Sequence, residues 1–575
     1  MCSIMARSKK AVDKISFSEL FQPKLITVLR EGYHFVDFRA DVIAGLTVAI
    51  VALPLSIAIA IASGASPVQG LYTSIIGGFF IALLGGSRFQ IGGPAGAFII
   101  VVSTTVAEHG MDGLLLATVM SGLMLMALGY LRLGTYIKFI PYPVTVGFTA
   151  GIAVIIFSSQ LINMLGLELN EKEPGPILEK LPVIWNNIGT CSLLSISFCV
   201  ATIVFITTLK KLCPNWPGMV LSIIIGGAVT AFFNLDIVTI GSKFGTMPST
   251  LPSPRLPEFN FDKVQAVFPN AMTFTLLGAI ESLLSAVVAD GMTGRRHRSN
   301  CELVAQGVAN IASALFTGIC VTGAVARTAT NIRAGARSPI SGIFHSIFLL
   351  LFLLILAPLT NFIPLACLAG ILAIISWNMI DKRAFLLLLK ASAGDAVVLV
   401  VSLSLTIFRN VTEAIIIGFA LGALLFIHRM SKAASVTADR PLVAEDIADA
   451  GNRPSSHYEG NIQKDSNTVI YHISGAFFFG AAASIGSVLD RIGENYHTMI
   501  LDFVQVPFLD ATGANTIESL AEKAKKQGIT LVICGASEQV LKDFLSHGIK
   551  PPSVHFEKSL GKAVKKYIKP EYVTA

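Results

Sequence analysis

Two long stretches without a charged residue constrain this chain more than any other feature. No Asp, Glu, Lys or Arg occurs between residues 42 and 87, or between residues 338 and 380. Each stretch is long enough for two membrane helices of about 20 residues. Only 14% of the 575 residues are charged, whereas soluble domains carry about 25%. The sequence therefore predicts a polytopic α-helical membrane protein.

Hydropathy predicts fourteen membrane spans. They are residues 42–62, 70–86, 91–107, 112–131, 141–166, 188–209, 216–233, 266–290, 302–318, 319–335, 341–360, 362–379, 394–408 and 412–428. With the N-terminus in the cytoplasm, basic residues concentrate in the cytoplasmic loops, as the positive-inside rule requires. The net charge of +7 is explained by this asymmetry, so it does not indicate nucleic-acid binding. Both termini are predicted to be cytoplasmic.

The stretch Ile319–Thr328 is unsuited to a continuous membrane helix. Its first residues favour extended backbone, Gly323 permits a break, and small residues that can restart a helix follow. Broken backbone at membrane depth is tolerated only where it is buried in protein or lines water. The restarted helix would point its positive end at the break, and Arg327 follows one turn in. This pattern predicts an anion-binding site.

A similar pattern occurs in the first half of the chain, at Ile91–Ala97. Pro94 lies there at a position suited to the first turn of a helix. Pro94 precedes Ala324 by 230 residues, and Pro54 precedes Glu281 by 227 residues. These offsets indicate two halves of seven spans, and because seven is odd, the halves must be inverted. Two half-helix N-termini would then face each other at the membrane midplane.

The ends of the chain differ in composition from its middle. Residues 1–41 form a basic segment that is expected to lie on the cytoplasmic membrane surface, and residues 42–430 form the transmembrane domain. Residues 431–467 are polar and are predicted to be a linker. Residues 468–575 alternate strand and helix patterns, which predicts a small cytoplasmic α/β domain. Its predicted strands are 468–473, 498–503 and 529–534, and its predicted helices are 514–527 and 538–547.

Several motifs occur in the order found in one family of anion transporters. They are Ala52–Ala58, Gly70–Tyr72, Ile91–Phe98, Gly278–Leu284, Asp290–Gly294, Asn300–Gly307 and Arg327–Asn331. On these motifs the chain resembles the SulP (sulfate permease) family, whose members end in a STAS domain. Within that family it is similar to proteobacterial members, including the C4-dicarboxylate and sulfate carriers.

The resemblance implies a fold and a mechanism. It implies a core domain of spans 1–4 and 8–11, a gate domain of spans 5–7 and 12–14, and elevator-type alternating access in a homodimer. The expected substrate is a small anion of the sulfate, bicarbonate or dicarboxylate class, carried across a bacterial inner membrane without a cofactor. An anion channel of the same fold, and a sensor or scaffold acting through the STAS domain, are the alternatives. No nucleophile–base pair, phosphate loop or metal-ligand spacing indicates an enzyme or a metal site.

Arg327 and Glu281 are the charged residues expected to carry the chemistry. Arg327 would supply positive potential to the anion, or else be a structural arginine bonded to backbone carbonyls. Glu281 would carry the coupling proton, or else form an interhelical salt bridge. In a sodium-coupled bicarbonate branch of the family, an aspartate and a threonine stand where this chain has Glu281 and Ser285. This difference favours proton coupling over sodium coupling.

Backbone N–H groups of the two half-helices are expected to bind the anion. The expected substrate-binding residues are Pro94, Ala95, Gly96, Ala97, Gly323, Ala324, Val325 and Ala326. Pro54 either unwinds the first span beside the site or is a tolerated kink. Four further polar residues either line the cavity or form the interhelical hydrogen bonds that such side chains usually make in membranes. They are Gln69, Tyr72, Gln306 and Asn310.

Two polar motifs outside the spans have alternative interpretations. The cluster Arg295–Arg298 suggests either a lipid or regulatory site, or simply a positive-inside determinant. Leu509–Gly513 resembles the loop where bacterial anti-sigma-factor antagonists carry a phosphorylated serine, and Thr512 occupies that position. Thr512 is thus expected to be a regulatory site that responds to a cytoplasmic partner, or else an ordinary helix N-cap.

Overall fold

The computed structural model describes residues 20–135, 141–169, 177–213, 216–409, 411–438, 468–479, 482 and 497–567. The chain divides into two compact units, Met1–Ala420 and Leu421–Ala575. In its described residues, the first unit is helical apart from one pair of two-residue strands, and the second contains a five-stranded sheet.

The helices and strands follow one another along the chain in this order. They are α1 (Lys24–Glu31), α2 (Phe35–Ala62), α3 (Pro67–Leu84), β1 (Gly92–Gly93), α4 (Ile99–Tyr130), α5 (Tyr142–Leu165), α6 (Ile177–Asn186), α7 (Leu193–Leu212), α8 (Gly218–Phe233), α9 (Ile240–Phe244), α10 (Phe261–Thr293), α11 (Ser299–Leu315), β2 (Thr322–Gly323), α12 (Val325–Arg333), α13 (Ile340–Thr360), α14 (Leu365–Met379), α15 (Lys382–Ala391), α16 (Ala393–Phe408), α17 (Val411–Ala433), β3 (Ser435–Ala438), β4 (Thr468–Ser474), β5 (Thr498–Gln505), α18 (Ala511–Lys526), β6 (Thr530–Cys534), α19 (Glu538–Ser546), β7 (His555–Glu557) and α20 (Leu560–Tyr567).

All fourteen predicted spans overlap helices, and spans 91–107 and 112–131 share α4. Gly110 divides α4, because its φ of 70° and ψ of −175° lie outside the helical region. Among the described residues, nine helices are long and apolar enough to cross a membrane. The count of fourteen therefore stays a prediction.

The predicted span at 319–335 is a half-helix. The helix α12 has nine residues, and at about 1.5 Å per residue it covers less than half of a hydrocarbon core about 30 Å thick. The residues before it, from Gly318 to Ala324, are not helical. The predicted break at Gly323 is confirmed.

The long helices of the first unit pack in two sets. In one set, α4 packs against α10 and α11, and α2 packs against α3 and α13. In the other set, α5 packs against α14 and α16, and α14 packs against α7. These sets correspond to the expected core and gate domains.

The second unit is a mixed sheet in the order β3-β4-β5-β6-β7. β3 is antiparallel to β4, and the remaining neighbours are parallel. All predicted strands and helices of this unit are confirmed, with ends shifted by a few residues. Its core contains stacked and edge-on phenylalanines, with the Phe503 ring centroid 6.3 Å from that of Phe477 and 5.2 Å from that of Phe544. Burial of these rings stabilises the sheet.

The strand β3 lies inside the range predicted to be linker, 431–467. Ser435 pairs with Ser474 and Ala438 pairs with Tyr471. Ser435–Ala438 is only four residues long, which is too short to predict a strand, and it pairs by hydrogen bonding with the edge of β4. The linker prediction is therefore wrong for residues 431–433, which end α17, and for Ser435–Ala438, and residues 439–467 lie outside the described part of the chain.

Candidate anion site at the strand crossing

The two half-helices begin next to the short antiparallel pair of β1 and β2. This strand pair, Gly92–Gly93 with Thr322–Gly323, is called the crossing below. Gly92 pairs with Gly323 and Gly93 with Thr322, in antiparallel orientation. Antiparallel pairing requires the two segments to run in opposite directions, as expected for inverted halves. The site is thus assembled from segments about 230 residues apart in the sequence.

Side chains of α10 and α11 hold β2 in place. Asn310 bonds both backbone groups of Val321, with Nδ2 donating to the carbonyl at 2.8 Å and Oδ1 accepting from N–H at 3.0 Å. The hydroxyls of Ser282 and Thr322 lie 2.6 Å apart. Asn310 therefore makes a structural hydrogen bond, which was one of its two expected roles.

Both half-helices begin with unpaired backbone donors. Ala95 and Ala324 are the extended cap residues, and a 3₁₀ turn from Gly96 leads into α4. The first N–H groups of a helix have no intrahelical acceptor. Five of them accordingly lack an acceptor among the described residues: those of Gly96, Ala97, Val325, Ala326 and Arg327. Gly96, Ala324, Val325 and Ala326 are partly or fully exposed, so an anion can approach this backbone.

The sequence predicts Pro94 in the first turn of a helix, and this prediction is wrong. It precedes the cap residue Ala95 and is not helical. The β1–β2 pairing keeps the chain extended for longer than the sequence pattern indicated. The Pro94 carbonyl accepts a hydrogen bond from Arg327 Nη2 at 3.4 Å.

Arg327 is buried beneath the crossing, with 1% of its surface exposed. Nη1 donates to Ser74 Oγ at 3.0 Å, and Nη2 donates to Ser56 Oγ at 3.1 Å. Nε has no partner in the described part of the chain. No carboxylate there lies within 4.0 Å of the guanidinium to form an ion pair. A buried cation that is bonded only to neutral groups creates positive potential around it.

The serines that hold Arg327 form a directed chain. Ser56 Oγ donates to the Ala52 carbonyl at 2.7 Å, which uses its only hydrogen. Ser74 must therefore donate across the 2.7 Å that separates the two hydroxyls. Both hydroxyl oxygens then present lone pairs to the guanidinium. Gly93 completes the pocket, because a Cβ at this position would overlap Arg327 Nη1.

Glu281 lies on α10 beside Ser282 and is partly exposed. It has no hydrogen bond or ion pair among the described residues, so the expected alternative of a salt bridge is not found there. Ser285 is fully buried and donates to Thr328 Oγ1 at 3.0 Å. Thr328 Oγ1 also accepts from the Ile91 N–H at 3.2 Å. Ser285 on α10 thus bonds Thr328 of α12, which in turn bonds the residue before β1, and Ser285 does not bond Glu281.

Comparison with known proteins shows which family the chain belongs to. The model of the sulfate permease family matches residues 38–402 of this chain, which include both strands of the crossing and both half-helix starts. The chain belongs to the sulfate permease family. A STAS domain model matches residues 460–563, which confirms the predicted identity of the second unit.

Relatives of this sulfate permease family member cover most of its length. YvdB of Bacillus subtilis, which carries a provisional sulfate-transporter name, is 38% identical over 513 residues, 88% of this chain and 93% of YvdB. The bicarbonate transporter BicA of Synechocystis is 34% identical over 521 residues, 88% of this chain and 90% of BicA.

Solved structures show the same fold. The transmembrane domain of a cyanobacterial BicA matches with a TM-score of 0.59 and 31% identity, covering 68% of this chain and 98% of that one. SLC26A9 matches with a TM-score of 0.82 over 94% of this chain and 92% of that one, and at 18% identity this shows the fold alone.

Pro54 is buried within α2 of the permease unit, and the helix continues through it. The structure therefore contains no unwound segment at Pro54, and the tolerated kink remains. Ser56, two residues further along, is the residue of this motif that contacts Arg327.

Several residues at the crossing were not identified from the sequence. They are Ser56, Ser74, Gln90, Ser282 and Thr328. Gln90 Nε2 donates to the Ser282 carbonyl at 3.1 Å, and a Cβ on Gly323 would overlap this amide. The sequence does indicate that a buried arginine needs hydrogen-bond acceptors, and hydroxyl side chains in neighbouring spans can accept its hydrogen bonds. Sequence alone did not indicate which hydroxyls.

Thr512 is not the N-cap of its helix in the STAS domain. Asp510 is the cap, with Oδ1 accepting from the Gly513 N–H at 2.8 Å and Oδ2 from the Phe479 N–H at 2.9 Å. A carboxylate at the cap position can accept both bonds, whereas Thr512 lies two residues further along, already inside the helix. Thr512 is exposed in the first turn of α18.

Proposed function

We propose that this protein is a secondary-active transmembrane anion carrier. The observation that carries the proposal is the β1–β2 crossing, where five N–H groups and the buried guanidinium of Arg327 have, among the described residues, neither backbone acceptors nor a carboxylate partner, respectively. Helix N-termini favour anions, and the dipoles of two half-helices add to the potential of Arg327. Pro94, Ala95 and Gly323 would shape the backbone of the site.

The substrate class is sulfate, bicarbonate or a C4-dicarboxylate. The names of the relatives support the first two, and the resemblance to dicarboxylate carriers supports the third. All three anions present oxygens that accept N–H donors in several directions. Small residues at the half-helix starts let such an anion approach the backbone closely.

Proton coupling through Glu281 is part of the proposal. A carboxyl group without a partner can change its protonation state without breaking a hydrogen bond or an ion pair. Protonation on the outside and release on the inside would neutralise Glu281 while the anion crosses. Ser285 would act by fixing α10 to α12, and not by binding the proton.

The transport step would be an elevator movement of one helix set against the other. The set containing α2–α4 and α10–α13 carries the whole crossing, so the site would move as one body. The set containing α5, α7, α8, α14 and α16 would remain still. A homodimer in a bacterial inner membrane, with cytoplasmic termini and Thr512 open to regulatory phosphorylation, completes the proposal.

Uptake into proteoliposomes tests this function. Labelled sulfate, bicarbonate and succinate would each be supplied with and without an inward proton gradient. We expect saturable, gradient-driven uptake and counterflow of at least one anion. Steady current driven by voltage without counterflow would indicate a channel instead. No flux of any of the three would contradict the carrier proposal and favour a sensor acting through the STAS domain.

The variant Glu281→Gln tests the coupling. Because glutamine cannot exchange a proton, we expect exchange to continue while stimulation by acid outside is lost over the range in which wild type responds. The matched control is Glu413→Gln, a change at the start of α17 outside the moving set. Concentrative uptake by Glu281→Gln under an imposed proton gradient would exclude Glu281 as the proton carrier.

A further inference from the structure

A polar cavity of about 410 Å³ lies at the N-terminal end of the permease unit. Its walls come from α1, the start of α2 and the loops that follow α3, α10 and α12. The charged side chains that line it are Glu31, Asp37, Arg88, Arg295 and Arg337. This volume lies within the range of small-molecule and headgroup sites, about 300–1,000 Å³. None of these residues belongs to the crossing.

Two of the three arginines form ion pairs with the two carboxylates. Arg88 Nη2 donates to both oxygens of Glu31 at 2.5 and 2.6 Å. Arg337 Nη1 donates to Asp37 Oδ1 at 2.7 Å. The Arg295 guanidinium donates no hydrogen bond to any described residue. Among the residues that line the cavity, three arginines thus face two carboxylates, and the Asp41 carboxylate behind them already accepts hydrogen bonds from Tyr33 and Ser338.

Two neighbouring groups have pKa values that these arginines influence. Burial, and then the positive charges of Arg298 and Arg88, lower the pKa of Lys24 at the start of α1. The hydrogen bond from Arg88 lowers the pKa of Glu31. Burial is the largest cause at Lys24, and the arginine contributions to both pKa shifts have the direction expected beside cationic groups.

A row of aromatic rings lies on α2 and α13, the helices that begin near the cavity. Ring centroids are 6.1 Å apart for Phe35 and Phe38, 5.5 Å for Phe38 and Phe344, and 6.0 Å for Phe344 and Phe348. Phe35 is 79% exposed, and Phe38 directly follows the cavity residue Asp37 on α2. A cationic pocket and an exposed apolar strip thus lie near the same end of α2.

We propose that this cavity binds the phosphate headgroup of an anionic phospholipid, whose acyl chains lie along the phenylalanine row. Arg295 would donate to the phosphate, because a guanidinium fork matches phosphate geometry and attracts anionic lipids near the membrane surface. Zwitterionic lipids offer no net charge to balance the third arginine. A free phosphate would gain the same hydrogen bonds but would leave the aromatic row uncovered.

Lipid retention by the full-length protein tests this site. Purified protein in detergent would be given equal amounts of phosphatidylglycerol and phosphatidylcholine, and bound lipid would be counted by native mass spectrometry. We expect preferential retention of phosphatidylglycerol by wild type and a drop of about tenfold in Arg295→Gln. The matched control is Arg296→Gln, because Arg296 is adjacent and exposed but does not line the cavity. Retention in this control should stay within about twofold of wild type.

Three results would overturn the proposal. One is equal retention of the two lipids by wild type. Another is an equal effect of Arg295→Gln and Arg296→Gln, which would indicate a general charge effect of the loop. The third is displacement of phosphatidylglycerol by inorganic phosphate at matched concentration, which would assign the cavity to a soluble anion. Both variants change exposed loop residues, and circular dichroism would confirm that each is folded.

Discussion

The molecule pairs strands in two regions for opposite reasons. In the STAS domain, β4, β5 and β6 bring apolar side chains together, and their central residues are buried. At the crossing, β1 and β2 contain two residues each, three of which are glycines. The first pairing excludes water from a core, whereas the second brings polar side chains and unpaired N–H groups to one point. Strand pairing can therefore serve either stability or the construction of a ligand site.

The contrast extends to what surrounds each pairing. The STAS sheet tolerates little loss of side-chain volume, because its rings fill the space between sheet and helices. The crossing tolerates little added side-chain volume, because Arg327 and Gln90 occupy the space that a side chain at Gly93 or Gly323 would need. Loss of side-chain volume should therefore damage the STAS core, whereas added volume should damage the crossing. Three variants test this comparison.

The largest expected effect is loss of volume in the STAS core. Phe503→Ala should destabilise the second unit by about 3–5 kcal/mol, since Phe503 is fully buried between two other rings. Hydrogen exchange of β5 and β6 in the full chain measures this. The control Phe508→Ala removes a ring that is 50% exposed, and its effect should be much smaller. Equal losses of protection in both variants would contradict the packing account.

The next effect is gain of volume at the crossing. Gly93→Ala should lower anion transport by about 100-fold, because the added methyl displaces the guanidinium and loses charge-assisted hydrogen bonds. Transport per folded molecule in proteoliposomes measures this. Gly291→Ala on α10 is the matched control, since no atom lies within 4 Å of the added Cβ. Near-normal transport by Gly93→Ala would show that the close approach is not required.

The smallest of the three effects concerns the serine chain. Ser56→Ala should weaken anion binding about tenfold, because Arg327 Nη2 loses an acceptor and the guanidinium is less well fixed. Ser63→Ala is the control, since this buried hydroxyl on the same stretch of chain donates only to the Ile59 carbonyl. Calorimetric titration of the transported anion measures the change. Equal affinities of the two variants would remove Ser56 from the site.

The two regions also differ in how far the sequence predicts them. Three strands (β4, β5 and β6) and two helices (α18 and α19) of the STAS domain have local periodicity, so the sequence predicts each of them to within a few residues, whereas it does not predict β3, β7 or α20. The crossing was predicted from glycines, small residues and matched offsets, and the break at Gly323 is where the pattern put it. The partners of Arg327 are 271 and 253 residues away in sequence, and no local pattern relates a buried cation to hydroxyls at that separation.

The wrong predictions share one physical cause. The sequence pattern puts Pro94 in the first helical turn, Ser435–Ala438 in a linker and Thr512 at a possible cap position. In each case a tertiary hydrogen bond set the local conformation. For Ser435–Ala438 it is the edge of β4, and for the STAS helix it is the double acceptor Asp510. Such bonds depend on which segments meet, and single-sequence patterns do not report this.

Anion binding by Arg327→Ala tests the central claim most directly. Labelled anion binding and counterflow would be measured for wild type, Arg327→Ala and the control Arg333→Ala, whose arginine ends the same helix. We expect Arg327→Ala to lose binding while its helices and STAS domain remain folded, and Arg333→Ala to stay within about twofold of wild type. Unchanged affinity in a folded Arg327→Ala variant would contradict the assignment of the crossing as the anion site.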